Sequence, residues 1–199
     1  MTRNAIEFWF ECGSTYTYLS VMRAEKVVSD AGLQLEWRPF LLMPILIKQG
    51  MEKGPFLPFP KKLDYMWRDL ERRAKHHNLA YKRPSVYPPN TLLTARVGFV
   101  ASHEGWCREF TEGVFRRHWV EQKYIGTDTN LHETLSELGK DPKETLLAAA
   151  SRANKDALKL QTQIAADLGI FGSPTFVVGK DLFWGDDRLE DAIDWARDI

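Results

Sequence analysis

Cysteine is almost absent: the 199 residues hold two, Cys12 and Cys107, far apart in the chain. Two distant thiols cannot make a disulfide framework and suit a reducing compartment. An excess of one charge sign is missing as well. Lys and Arg number 27 and Asp and Glu number 27, for a net charge of zero, so the chain has no overall electrostatic pull on nucleic acid or on an anionic membrane surface. Nor is there a long hydrophobic run. The longest strongly apolar stretch, Phe40 to Ile47, is too short to cross a bilayer. The opening Met1-Thr2-Arg3-Asn4 leads into a mixed strand without the apolar core of a signal peptide, so the cytoplasm is the expected location. No glycine-rich phosphate loop, internal repeat or low-complexity tract occurs. His103 and Cys107 have i, i+4 spacing, but Gly105 interrupts them and no third ligand is evident, so no metal site is expected. What is present, 44% hydrophobic and 27% charged residues, is the composition of a compact globular domain with room for an embedded insertion.

The two ends of the chain carry strand patterns and the middle does not. Ile6-Glu7-Phe8-Trp9-Phe10 reads as a buried strand, broken by Gly13-Ser14-Thr15. A helix is predicted next, with Val21, Ala24, Val28 and Ala31 on one face and Gly32 as its stop. Leu33, Leu35 and Trp37 then alternate with Gln34, Glu36 and Arg38, which completes a β-α-β unit. At the far end, a helical run through Ala157, Leu160, Ile164 and Leu168 precedes the strand Thr175-Phe176-Val177-Val178, a turn at Gly179-Lys180-Asp181, and Leu182-Phe183-Trp184. A last helix carries Leu189, Ala192, Ile193 and Ala196, with Asp187 and Glu190 spaced as a capping box. Between these ends only helical patterns occur, among them Leu63, Met66, Trp67, Leu70 and Ala74, and a start at Asp141-Pro142. The expected architecture is α/β: a thioredoxin-like domain from residues 1–45 and 155–199, interrupted by a helical insertion domain, 46–154.

Ser14 stands where the first strand gives way to the first helix, and taken by itself it is an N-cap worth about 1 kcal/mol. Its neighbours suggest more. Phe10-Glu11-Cys12-Gly13-Ser14-Thr15-Tyr16-Thr17-Tyr18-Leu19 resembles the opening of the 2-hydroxychromene-2-carboxylate isomerases, DsbA-like relatives of the kappa-class glutathione transferases. In that family a Ser-Pro-Tyr-Ser-Tyr motif puts its first serine where thioredoxins have the first cysteine of Cys-x-x-Cys. Further matches are Arg38-Pro39-Phe40-Leu41-Leu42, Lys62 with Tyr65, Asp69 with Arg72, Pro88 with Asn90, Gly172-Ser173-Pro174-Thr175-Phe176, and Phe183-Trp184-Gly185-Asp186-Asp187-Arg188. The likeness covers nearly the whole chain, and its tail motif is the most specific part. Thr15 departs from it, replacing the proline of the family motif.

That resemblance implies a glutathione-dependent isomerase, converting 2-hydroxychromene-2-carboxylate or a related aromatic-catabolic compound to trans-o-hydroxybenzylidenepyruvate, and working as a cytoplasmic homodimer. Ser14 would be catalytic. It would hydrogen-bond the sulfur of glutathione and favour the thiolate. A hydroxyl cannot itself exchange disulfides, which requires a thiolate. Ser173 and Pro174, the latter expected in cis, would pair with the extended peptide. Lys62, Trp184, Gly185, Asp186 and Asp187 would complete the glutathione site, with the aspartates receiving its γ-glutamyl end. Lys48 and Asn90 would meet the small aromatic carboxylate substrate. Residues 61 to 83 hold eight Lys and Arg against Asp64, Asp69 and Glu71, a solvated helix face or a lure for anions. Cys12 is expected in the core. The segment Leu41 to Ile47 is almost entirely apolar where relatives can place polar substrate contacts. Two other readings stay open: a kappa-like glutathione transferase or peroxidase, and a non-catalytic binding protein of a thiol pathway.

Overall fold

The computed structural model describes residues 5–198; the expected domain ends at residues 1–4 and 199, and the Met1-Thr2-Arg3-Asn4 lead, lie outside the described residues. Strand β1 (Ala5–Phe10) is followed by helices α1 (Thr15–Val21) and α2 (Ala24–Asp30), then β2 (Gln34–Pro39). Helices α3 (Leu42–Lys48), α4 (Pro60–His76), α5 (Leu92–Glu104), α6 (Cys107–Trp119), α7 (Asp128–Glu137), α8 (Pro142–Ala150) and α9 (Arg152–Asp167) come next. The hairpin β3 (Thr175–Val178) and β4 (Asp181–Trp184) and helix α10 (Leu189–Asp198) close the chain. The sheet order is β2-β1-β3-β4, with β2 parallel to β1 and β3 antiparallel to it. This is a DsbA-like thioredoxin fold of the α/β class. Among the described residues no helix is long and apolar enough to cross a membrane.

The near-continuous apolar run of β1 is explained by burial on both sheet faces. Ile6, Phe8 and Phe10 join the main core, where Phe8 stacks on its cross-strand partner Phe176 at 5.1 Å and meets Trp37 edge-on at 5.1 Å. Trp9 faces the other way, into a smaller core with Phe40, Ile45, Ala165, Ile170 and Val177. The main core continues without interruption from the sheet into α4, α5, α6 and α7 through Met66, Leu70, Val97, Phe115 and Leu131. At α8, Asp141 caps as expected, accepting from the Glu144 N–H at 3.0 Å.

Two local expectations are corrected, and one further stretch gains an element. The single helix after Ser14 is two, split at Arg23, whose guanidinium reaches Glu190 and, at 2.6 Å, the Asp186 carbonyl. Glu190 is thereby drawn to Arg23, and the Asp187–Glu190 capping box does not form. The apolar run 41–47, to which no element was assigned, is helix α3, with Ile45 and Leu46 buried and Met43 and Ile47 about half exposed.

Burial also fixes a titration. His118 on α6 is 1% exposed, its Nδ1 accepts from the Ile125 N–H at 3.2 Å, and burial pulls its pKa down to about 4. The unfolded chain binds a proton near the ordinary histidine value while the folded chain resists it. His118 therefore contributes stability that is complete above about pH 6.5 and lost as pH falls toward 4. His118→Gln should remove up to about 3 kcal/mol of that pH dependence, read as a smaller difference in urea-unfolding free energy between pH 7 and pH 4.5 than in the wild type.

Candidate active site

The turn between β1 and α1 brings Ser14 against the segment leading into β3. Ser14 occupies the N-cap position but makes no cap bond; its Oγ donates instead to the Ser173 carbonyl at 2.8 Å. Ser173, 8% exposed, is tied twice more. Its Oγ accepts from the Glu11 N–H at 2.8 Å and lies 2.8 Å from Thr17 Oγ1. The Ser173–Pro174 peptide is cis. Because α1 has seven residues, the dipole support expected for an anion at Ser14 is slight, and specific hydrogen bonds govern the corner.

This corner is the floor of a cavity of about 850 Å³. The lining includes Phe171, Gly172, Trp184, Gly185 and Asp187 around β3 and β4, and an apolar set of Leu42, Met43, Leu46, Phe56 and Leu57. Helix α4 adds Lys62, Tyr65 and Asp69. Trp184 is 54% exposed and meets Phe171 edge-on at 4.9 Å. Gly172 is required there, since a Cβ on it would lie 2.2 Å from Trp184 Nε1. The cavity thus has a polar floor, aromatic and anionic groups on one rim, and an apolar wall.

Of the residues singled out in the sequence, the structure gathers Ser14, Lys62, Ser173, Pro174, Trp184, Gly185, Asp186 and Asp187 around this space. Lys62 Nζ sits 5.3 Å from the Phe56 ring centre. The two aspartates differ. Asp186 is 3% exposed and its carboxylate is held by Arg73 at 2.6 and 2.7 Å, so it is already paired, while burial still pushes its pKa up. Asp187 is at the rim, bonded to Arg188 at 3.0 Å; burial works against its charge, and the Arg188 contact prevails and holds its pKa low. Only Asp187 has an accessible charge to offer. Lys48 and Asn90 are not in the lining. The α3 helix turns Lys48 outward to Gln163 Oε1 at 3.3 Å, and Asn90 Oδ1 accepts from the Leu92 N–H at 3.3 Å beside the start of α5.

The sequence reading passed over Glu11. Its carboxylate accepts from the Gly13 N–H at 2.8 Å and from Thr91 Oγ1 at 2.6 Å, lies against the Ser14 N–H, and lines the cavity. Burial raises its pKa despite those donors. The available signal was a lone acid closing an apolar strand, three residues before Ser14. Tyr16, also in the lining, donates to Asp69 Oδ2 at 3.1 Å, and burial with that carboxylate raises its pKa.

Comparison with known proteins matches residues 5–194 to the DSBA-like thioredoxin domain. The chain is 30% identical over 188 residues to a 2-hydroxychromene-2-carboxylate isomerase of Pseudomonas putida, covering 92% of this chain and 90% of that one. This chain belongs to the 2-hydroxychromene-2-carboxylate isomerase family. A second such isomerase, from Pseudomonas sp. strain C18, is 28% identical over 189 residues, covering 92% and 86% of the two chains. A solved structure of a 2-hydroxychromene-2-carboxylate isomerase superposes with a TM-score of 0.86 at 26% identity, covering 98% of this chain and 94% of that chain.

Within this isomerase-family site the two serines should differ in what they support. Ser173→Ala strips a buried N–H of its acceptor and should cost about 1–3 kcal/mol. Ser14→Ala frees a carbonyl at the cavity floor, where water can replace the lost donor, and should cost less. Urea unfolding of both variants checks the order.

Proposed function

We propose that this family member is a glutathione-dependent isomerase, converting 2-hydroxychromene-2-carboxylate or a related aromatic-catabolic acid to the trans-o-hydroxybenzylidenepyruvate isomer. The observation that carries the reading is a hydroxyl, Ser14, at the floor of a large cavity lined by no thiol. Cys12 and Cys107 are buried in the core, where burial pushes both thiols up, Cys107 to about 12. A protein that keeps a thioredoxin-like corner but withholds its own sulfur suits a sulfur brought in by a ligand.

The residues present fit a γ-glutamyl tripeptide. The Ser173 carbonyl, now occupied by Ser14, suits a main-chain N–H of an extended peptide, which would release the Ser14 hydroxyl to donate elsewhere. Asp187 suits an ammonium group at the rim, and Lys62 a carboxylate. The wall of Leu42, Met43, Phe56 and Leu57 suits an aromatic ring, whose burial contributes about 25 cal/mol per Å². When bound, glutathione supplies the thiolate nucleophile and is regenerated. Ser14 then holds the developed charge by donating its proton into a hydrogen bond without losing it, and the apolar wall excludes water from the reacting face.

Incubation with glutathione and the chromene acid should yield the isomer with no net loss of glutathione; a loss in step with product would favour a transferase or peroxidase. Ser14→Ala should still bind glutathione but raise the pKa of the bound thiol by about one to two pH units, the value of a hydrogen bond to a charged group, with turnover falling in parallel. Asp187→Ala should weaken glutathione binding in calorimetry while leaving the unfolding midpoint nearly unchanged. Unaltered affinity would confine Asp187 to its bond with Arg188.

A further inference from the structure

The Glu11 carboxylate has no ion-pair partner among the described residues, although it lines the cavity together with Ser14. Its two donors are the Gly13 N–H and the Thr91 hydroxyl, while the Ser14 N–H donates to the Glu11 main-chain carbonyl at 3.3 Å. The position is tightly set. A Cβ on Gly13 would lie 3.2 Å from both Glu11 Oε2 and Thr91 Cγ2. Gly126, at φ +84, lets the Asn90 carbonyl come so close that a Cβ there would fall 1.8 Å from its oxygen, and this fixes the segment that carries Thr91. The titratable groups facing Glu11 are Cys12 and Tyr87; burial raises both and the Glu11 charge adds to it, so neither supplies a compensating charge. Both carboxylate oxygens are used, Oε2 by the Gly13 N–H and Oε1 by the Thr91 hydroxyl, which a glutamine with its single acceptor oxygen could not match, and the seat thereby keeps a desolvated charge with no ion-pair partner beside Ser14.

We propose that the Glu11 carboxylate accepts the thiol proton of the peptide thiol bound at Ser14, so that carboxylate and sulfur share a single proton. The inference rests on the glutathione reading of this cavity. In the step, the S–H bond breaks, an O–H bond forms on Glu11, and the electron pair stays on sulfur; when the thiol re-forms, the proton returns. The physical reason is charge. A thiolate beside an ionised Glu11 would set two anions side by side with no cation paired to the carboxylate, and close like charges disfavour ionising together. Moving the proton from sulfur to Glu11 keeps the corner at one negative charge throughout and releases nothing to solvent. Such a pair titrates in two steps that belong to both groups.

The test is a proton count. Glutathione is titrated into the wild type near neutral pH, with thiolate read by ultraviolet absorbance and proton release read by calorimetry in buffers of different ionisation enthalpy. Wild type should form thiolate with proton release close to none per thiolate, and its absorbance should titrate in two steps. Glu11→Gln should release one proton per thiolate and titrate in one step. One proton released per thiolate by the wild type would overturn the proposal, whether or not the glutamine variant folds. Absence of both heat and thiolate signal in the wild type would instead overturn the glutathione reading, and this inference with it.

Discussion

Ser173 is where the two ends of the chain are fastened. Its hydroxyl takes the Glu11 N–H and meets Thr17, and its carbonyl takes the Ser14 hydroxyl, each at 2.8 Å. These three bonds connect residues about 160 positions apart and set the angle at which β1 hands over to α1 beneath the entry to β3. They also decide what is left for a ligand. The Ser173 side chain is fully used inside the protein, whereas its carbonyl is held by a cavity-floor hydroxyl that can turn elsewhere. One bond of the three is thus exchangeable, and the exchange needs no movement of the backbone.

The rest of the cavity follows a similar division between committed and available groups. Asp186 is spent on Arg73, and Glu190 on Arg23, and these pairs dock the β4–α10 corner against α4 and the start of α2. Of the two aspartates, Asp187 keeps its carboxylate half exposed, bonded to Arg188. Helix α3 offers Leu42, Met43 and Leu46, and the nearest sequence cation, Lys48, is turned away toward α9. The α3 side of the cavity therefore offers apolar contact rather than a cation.

What could be read from the sequence was local. The strand at Ile6–Phe10, the alternation of Leu33 to Trp37, the helix of Met66, Trp67 and Leu70, and the Asp141 cap depend on neighbours within a few residues, and the structure has them. The cis proline and the gathering of Ser14, Ser173, Trp184 and Asp187 were legible through motif likeness. Features set by distant partners were not. The break at Arg23 exists because its guanidinium reaches residues 186 and 190. The commitment of Asp186 depends on Arg73, 113 positions away. Glu11 is held in the site by Thr91, 80 positions on, a partner that local sequence does not reveal. Lys48 and Asn90 fall outside the cavity lining because proximity in sequence says nothing of which way α3 and the start of α5 turn them.

In the proposed mechanism Ser14 exchanges the Ser173 carbonyl for a ligand sulfur. A crystal structure of the protein with glutathione tests it most directly. The sulfur should lie within hydrogen-bond distance of Ser14 Oγ, with the glutathione main chain paired with Ser173 and Glu11 still held by Gly13 and Thr91. A complex in which Ser14 Oγ remains on the Ser173 carbonyl, with the sulfur lodged elsewhere in the cavity, would contradict it.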